Sequence, residues 1–360
     1  MYLIEGINIM KKTLKIGSFM VCLFALLACS SNEGTTVNDK IPEENNLTET
    51  NNDSGKTDND LNNNEENNNN NDNEQFVDME LSNSNGMVVK FANKGAKIDS
   101  IKMNNVKIAE NGFVAGRVAN RIANAKFDLD GVTYNVNKNN GKHCLHGGAQ
   151  GFGEINWTKT YQNSKKIVFE LDSADGDQGF PGKIHVKTTY TLSDDGTLDI
   201  EYNAKSEAKT LFNPTNHLYM NMNGVDTRTW RNHTLWTIAT EYTKADNELI
   251  PTGEYVSVTG TKLDYTTKGD YQGDNDSNLV LSKTKETEYK KVAELTGKTT
   301  GITCEVSTDR VGLQLYNDNG HICLEAQDAP DAIHHSNFPS IVLEANQDYY
   351  SKTSYKFIKA

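Results

Sequence analysis

From about Gln75 onward this chain is written in short runs that alternate apolar and polar residues, and that alternation restricts it to sheets. Met87-Val88-Val89-Lys90-Phe91, Lys166-Ile167-Val168-Phe169-Glu170-Leu171, Ile184-His185-Val186-Lys187-Thr188-Thr189-Tyr190 and Leu198-Asp199-Ile200-Glu201-Tyr202 all follow it. A period of two with β-branched and aromatic residues, closed by Gly, Asn, Asp or Pro, describes half-buried antiparallel strands. Asp194-Asp195-Gly196 and Asp130-Gly131 are hairpin signals. No stretch keeps a helical period between caps. The expected fold is all-β, one large antiparallel β-sandwich over residues 76–360, about 285 residues (360 minus 75). Two smaller sandwiches would also fit, but no internal repeat divides the chain.

The first 75 residues are of another kind. Lys11, Lys12 and Lys15 precede an apolar run from Ile16 to Ala28, shorter than the roughly 20 residues of a membrane-spanning helix. It ends in Leu26-Leu27-Ala28-Cys29, which resembles a bacterial lipobox. Residues 1–29 therefore read as a lipoprotein signal peptide with Cys29 as the lipidated residue; an ordinary cleaved signal with a chance cysteine is the alternative. Met10, directly before the lysines, is a second candidate start. Residues 30–75 collapse to Asn, Asp, Glu, Thr and Ser. They cannot bury enough apolar surface to offset chain entropy and read as a disordered spacer. The expected location is a membrane-anchored lipoprotein on the extracytoplasmic side, periplasmic or cell-surface.

The formal net charge is -13. An acidic chain without a Lys/Arg stripe is unsuited to nucleic acid, where phosphate neutralisation supplies most of the affinity. Beyond the signal, Cys144, Cys304 and Cys323 are three in number and form no CxxC. They read as small buried hydrophobes, although a secreted location would permit one disulfide.

Three segments could carry chemistry. The first holds Asn120-Arg121, whose guanidinium could fork hydrogen bonds to adjacent hydroxyls, and Cys144-Leu145-His146-Gly147-Gly148, whose glycines would let backbone approach a ligand. The second is Thr215-Asn216-His217-Leu218-Tyr219; taken alone, His217 is a hydrogen-bonded strand residue, though histidine is the side chain that titrates near neutrality. The third is His321-Ile322-Cys323-Leu324-Glu325-Ala326-Gln327. Glu325, after an apolar run, belongs either at a strand end facing a cleft or, more commonly for an isolated Glu, on a solvated face.

Together these segments resemble the aldose 1-epimerase (galactose mutarotase) family. Asn120-Arg121-Ile122, Phe127-Asp128-Leu129-Asp130-Gly131 and Leu145-His146-Gly147-Gly148 are similar to its N-terminal signature. Asp175-Gly176, Gly179-Phe180-Pro181-Gly182 and Thr189-Tyr190-Thr191-Leu192 follow its central segment, and Thr215-Asn216-His217-Leu218-Tyr219 its active-site motif. Leu249-Ile250-Pro251-Thr252-Gly253, Glu305-Val306-Ser307-Thr308 and Asn337-Phe338-Pro339-Ser340 match in turn, collinearly from about Asn85 to Phe357. The resemblance implies a galactose mutarotase-like supersandwich, with Glu325 as general base, His217 as general acid, and Arg121, His146 and Asp276 as ligands of the sugar hydroxyls. Three features depart from the family's pattern. The stretch between Ile101 and Gly116 is short, Ser277 follows Asp276 where a His is common, and Asp328-Ala329-Pro330 replaces an aromatic-containing sequence.

The implied reaction interconverts the α and β anomers of a free hexose by ring opening and reclosure. It moves protons on two neighbouring atoms and so asks for one base and one acid. No metal or other cofactor is expected, and there is no HExxH, P-loop or GxSxG. The expected partners are an aldose and a lipid anchor, with the chain a monomer or weak dimer. Glycoside hydrolysis would need a second carboxylate, Asp276 or Asp331, and a non-catalytic carbohydrate-binding lipoprotein is the non-enzymatic alternative. A phosphosugar relative would need an Arg cluster that the sequence lacks.

Overall fold

The computed structural model describes residues 79–285 and 287–359. The signal peptide with Cys29, and the Asn/Asp/Glu-rich segment up to residue 75, lie outside the described residues.

Among the described residues, two large antiparallel sheets of ten and nine strands are joined by three two-stranded ones. Among the described residues the helical segments are four 3-10 turns of three residues each, as the absence of helical periodicity requires. The four alternating runs lie within the strands Met87–Ala92, Lys166–Ser173, Ile184–Leu192 and Thr197–Ser206. Asp130 and Gly131 take φ of 51° and 80° and join Lys126–Leu129 to Val132–Asn135 with Leu129 paired to Val132, the left-handed pair that a two-residue hairpin loop demands. The Asp194–Gly196 turn closes Ile184–Leu192 onto Thr197–Ser206.

The inner faces of both sheets share one apolar cluster: Val89, Ile98 and Ile101 from one, Ile167, Val186, Leu198 and Val306 from the other. Burying each such side chain contributes roughly 1.5–3 kcal/mol, so the register of each strand is held by its apolar half. A second, smaller cluster of Val118, Ile122, Phe127, Phe180, Leu211 and Phe338 underlies the loops that carry Arg121.

Five strands are adjacent in the middle of the ten-stranded sheet: Val106–Ala115, Thr215–Met220, His321–Gln327, Gly312–Asp318 and Asp276–Val280. Their alternation decides where the polar residues go. Leu218, Met220, Ile322, Leu324, Ala326, Leu313, Leu315 and Leu279 enter the core. His217, Tyr219, Cys323, Glu325, Gln314, Tyr316 and Asn278 fall between them and face the other way.

Candidate active site

Met220 and Ile322 are paired across the seam between two of these strands. Three residues back along one and three forward along the other, the antiparallel register brings His217 beside Glu325, with Nε2 and Oε1 3.4 Å apart. Glu325 is paired in turn with Gln314, Gln314 with Asn278, and His217 with Phe113 on its other side. These five side chains form one row across five strands. Cys323, Tyr316 and Asp276 lie in the next row.

The sequence offered Glu325 a strand end or a solvated face, and it has neither. It lies inside the strand His321–Gln327 and is 1% exposed, while His217 is 6% exposed. Burial pushes the Glu325 carboxyl well above its usual range, and the charge of Asp276 pushes the same way. Burial also holds the His217 imidazole down, to about 4. Both groups are thereby drawn toward their neutral forms, which lets a single proton serve the pair. The 3.4 Å separation is slightly longer than a hydrogen bond, and Glu325 Oε2 and His217 Nδ1 are buried without a protein partner. Polar atoms left open in such a place suit the hydroxyls of a ligand.

Aromatic rings fix the imidazole plane. Phe113 and Tyr219 stack on His217 at centroid distances of 5.1 and 4.8 Å, and Tyr316 meets it edge-on at 5.8 Å. His146 adds a second edge at 5.3 Å. Its Nδ1 accepts the Asn120 N–H at 3.2 Å, which leaves the proton on Nε2. Burial, then the nearby His217 and Arg121, hold the His146 pKa well below its usual value, so this ring is a neutral donor.

One short ladder places Arg121 and His146 together, because Arg121 is paired with Leu145. Arg121 Nε donates to Asn140 Oδ1 at 3.3 Å, and Nη1 lies 3.7 Å from Asp276 Oδ2. Asp276 Oδ1 in turn accepts from Gln314 Nε2 at 2.5 Å. A cleft of about 190 Å³ opens over Arg121, Asp276, Gln314, Tyr242, Leu249 and Pro330. All five residues named from the sequence, His217, Glu325, Arg121, His146 and Asp276, are thus gathered on one side of the sheet. Asp331, the other carboxylate considered, is engaged by the Ala123 N–H at 2.9 Å and by His334 Nδ1 at 2.6 Å.

One expectation is corrected here. The glycines after His146 serve the chain's own packing rather than a ligand's approach. A Cβ on Gly147 would sit 2.0 Å from the Gly116 carbonyl oxygen, and one on Gly148 would meet the Gln178 and Asn137 side chains.

The family profile described as aldose 1-epimerase matches residues 78–356. The chain belongs to the aldose 1-epimerase family. It is 34% identical over 271 residues to galactose mutarotase of Bos taurus, covering 68% of this chain and 78% of that one. It is 33% identical over 324 residues to aldose 1-epimerase of Haemophilus influenzae, covering 77% and 94%. An aldose epimerase homologue from C. elegans superposes with a TM-score of 0.74 at 25% identity, over 79% of this chain and 99% of its own. This aldose 1-epimerase family member is an isomerase that interconverts the anomers of aldoses.

The residues that frame the facing pair went unnamed in the sequence. Gln314 and Tyr316 were visible as polar and aromatic positions alternating with Leu313 and Leu315. Cys323 reads from the sequence as a small buried hydrophobe like the other two cysteines. All three are free and buried, but Cys144 and Cys304 lie in apolar clusters and Cys323 lies in neither. Among the described residues, His217, Cys323 and Glu325 make a group that could hold a metal ion, a set the sequence reading did not name.

Proposed function

We propose that Glu325 is the base and His217 the acid of this mutarotase, that Arg121, His146 and Asp276 hold the sugar hydroxyls, and that free hexoses, galactose among them, are its substrates. With the one proton that the pair shares held on His217, the Glu325 carboxylate takes the proton of the C1 hydroxyl. The bond from C1 to the ring oxygen breaks, its electron pair stays on that oxygen, and His217 supplies a proton there. Rotation about C1–C2 turns the aldehyde's other face to the hydroxyl just formed. On reclosure His217 recovers its proton and Glu325 returns one to the C1 oxygen, so no proton is gained or lost.

The observation that carries this reading is the facing of the two groups. They lie 3.4 Å apart on neighbouring strands, each with a buried polar atom that no protein group pairs. Arg121 and Asp276 stand beside them as a donor and an acceptor for adjacent hydroxyls. A neutral His146 Nε2–H adds a donor that does not compete for the shared proton. Positioned acid–base groups contribute typically 10²–10⁴-fold each. Glu325→Gln and His217→Asn should therefore each slow mutarotation of fresh α-galactose or α-glucose by about 10²-fold or more, read by polarimetry on variants that keep the wild-type circular dichroism. Full activity in either folded variant would overturn the assignment. A wild-type protein that binds sugars without speeding mutarotation would favour carbohydrate capture instead.

We further infer that residues 1–29 are a signal peptide, that Cys29 carries a lipid, and that residues 30–75 form a spacer between membrane and catalytic domain. Lys11, Lys12, Lys15, the apolar run and Ala28-Cys29 support this. Cys29→Ala should move the protein from the membrane fraction to the soluble one, and unchanged fractionation would defeat the lipid anchor.

A further inference from the structure

We propose that His217, Cys323 and Glu325 together bind a divalent transition-metal cation of the zinc class, and that the bound cation closes the site to sugar.

Cys323 is free and completely buried, and the proton relay has no use for it. Its strand neighbours Ile322 and Leu324 enter the apolar core. Cys323 alternates to the other side, two residues from Glu325 on the face that carries His217. A thiol at a core position needs no account beyond packing. This one lies instead beside an imidazole and a carboxylate.

The donor atoms of the three side chains lie within 4.8 Å of one another. Two ligands about 2.0–2.1 Å from a tetrahedral ion are about 3.3 Å apart, so the observed 3.4 Å between His217 Nε2 and Glu325 Oε1 already suits a zinc-sized ion. A thiolate in the same complex stands about 3.5 Å from the other ligands, so each distance from Cys323 Sγ has at most about 1.3 Å to close. That is within the reach of side-chain adjustment. One nitrogen, one sulfur and one oxygen make a set that zinc accepts, and three protein ligands leave the fourth position open, as in zinc sites that exchange a ligand.

Asp276, paired with Tyr316 in the row of Cys323, adds a second carboxylate beside the three donors. A dipositive ion would compensate the carboxylate and would allow the thiol to ionise. Binding expels the thiol proton and the proton shared by His217 and Glu325, two in all. With the His217 lone pair and a Glu325 oxygen committed to the ion, neither can move a proton. The inhibition rests on the mutarotase reading above; the binding does not.

Cobalt(II), added without oxygen to the intact purified protein, separates these claims. We expect a near-ultraviolet thiolate-to-cobalt charge-transfer band, with visible bands of a four-coordinate ion. Cys323→Ser should abolish the thiolate band although Cys144 and Cys304 remain, and galactose should weaken it in the wild type. Zinc should slow wild-type mutarotation. Cys323→Ser and Cys323→Ala, each referred to its own rate in chelator, should need at least ~10-fold more zinc for half inhibition, the lower end of the loss on removing even a group that only hydrogen-bonds a metal ligand. No thiolate band, a band that survives in Cys323→Ser, or equal zinc sensitivity in all three proteins would overturn the site. Absence of mutarotation in chelator would instead sink the catalytic reading and leave the cobalt spectrum to be judged by itself.

Discussion

Asn213→Ala tests how the proposed acid and base, His217 and Glu325, are held in step. Asn213 is fully buried and lies four residues before His217. Its Oδ1 accepts the N–H of Asp328 at 3.0 Å and a bond from Arg310 Nη2, and its Nδ2 donates to the Asp328 carbonyl at 3.3 Å. Asp328 lies three residues after Glu325, so one amide clamps the start of the acid's strand to the end of the base's. Thr215 Oγ1 adds a bond to the Ala326 carbonyl at 2.8 Å. Arg310 and Asp328 complete the clamp with a buried ion pair at 3.3 Å. Removing the amide orphans the N–H and the C=O of Asp328, each at about 1–3 kcal/mol, or about 3–4 kcal/mol together after partial relaxation. At ~2–4 °C per kcal/mol the Tm should fall by roughly 6–16 °C. Geometry suffers as well, since a displacement of about 1 Å between reacting groups can cost 10²-fold. Polarimetry well below the lowered Tm should show kcat reduced by more than about tenfold, the smaller part of that 10²-fold range, with KM little changed. A Tm within about 3 °C of wild type, below what one orphaned pair predicts, or a change confined to KM, would refute the clamp.

Two glycines of similar φ should separate sharply. Gly131→Ala, at φ 80° with open space around the added carbon, should cost about 1–2 kcal/mol, whereas Gly147→Ala, at φ 87° against the Gly116 carbonyl, should cost more than about 4 kcal/mol or prevent folding; equal denaturation midpoints would contradict this. His233 should make the fold acid-sensitive. Its Nε2 accepts the Met222 N–H at 3.0 Å, its Nδ1 donates to the Trp230 carbonyl at 2.8 Å, and burial lowers its pKa. The unfolded chain then binds the proton more readily than the folded one. Stability is therefore full above pH ~6.5 and falls as pH drops from there toward the folded value, by at most about 1.4 kcal/mol per pH unit. Chemical denaturation of His233→Gln across that window should give a shallower slope, and an unchanged slope would exclude His233 as the source.

What could be read from the sequence was local. The hairpins at Asp130-Gly131 and Asp194–Gly196 announce themselves because two or three residues decide them. Strand order does not, since nothing near Thr215 says that Ala326, 111 residues away, will receive its hydroxyl. For the same reason His217 and Glu325 looked ordinary singly: their meaning lies in being opposite each other, and only the collinear family motifs supplied it in advance. Cys323 and Gln314 were within reach of the period-two rule, which sends them to the side opposite Ile322, Leu324, Leu313 and Leu315. Gln314 lies outside the quoted motifs, and Cys323, inside one, reads as one more buried cysteine. Gly147 was misjudged because a sequence shows that a side chain is absent without showing what fills its place.

The alternation that sorts core from site also limits how such an enzyme can change over generations. In His321–Gln327, Ile322 and Leu324 anchor the sandwich while Cys323 and Glu325 face the side that carries His217. Inserting or deleting a single residue there would turn every later side chain of the strand through to the opposite side. A carboxylate would be driven into the hydrocarbon interior and leucine into the sugar's place. A turn such as the one at Asn104-Asn105, between Lys97–Met103 and Val106–Ala115, absorbs an added residue without that reversal. Within the strands, new specificity must come by exchanging one side chain at a time.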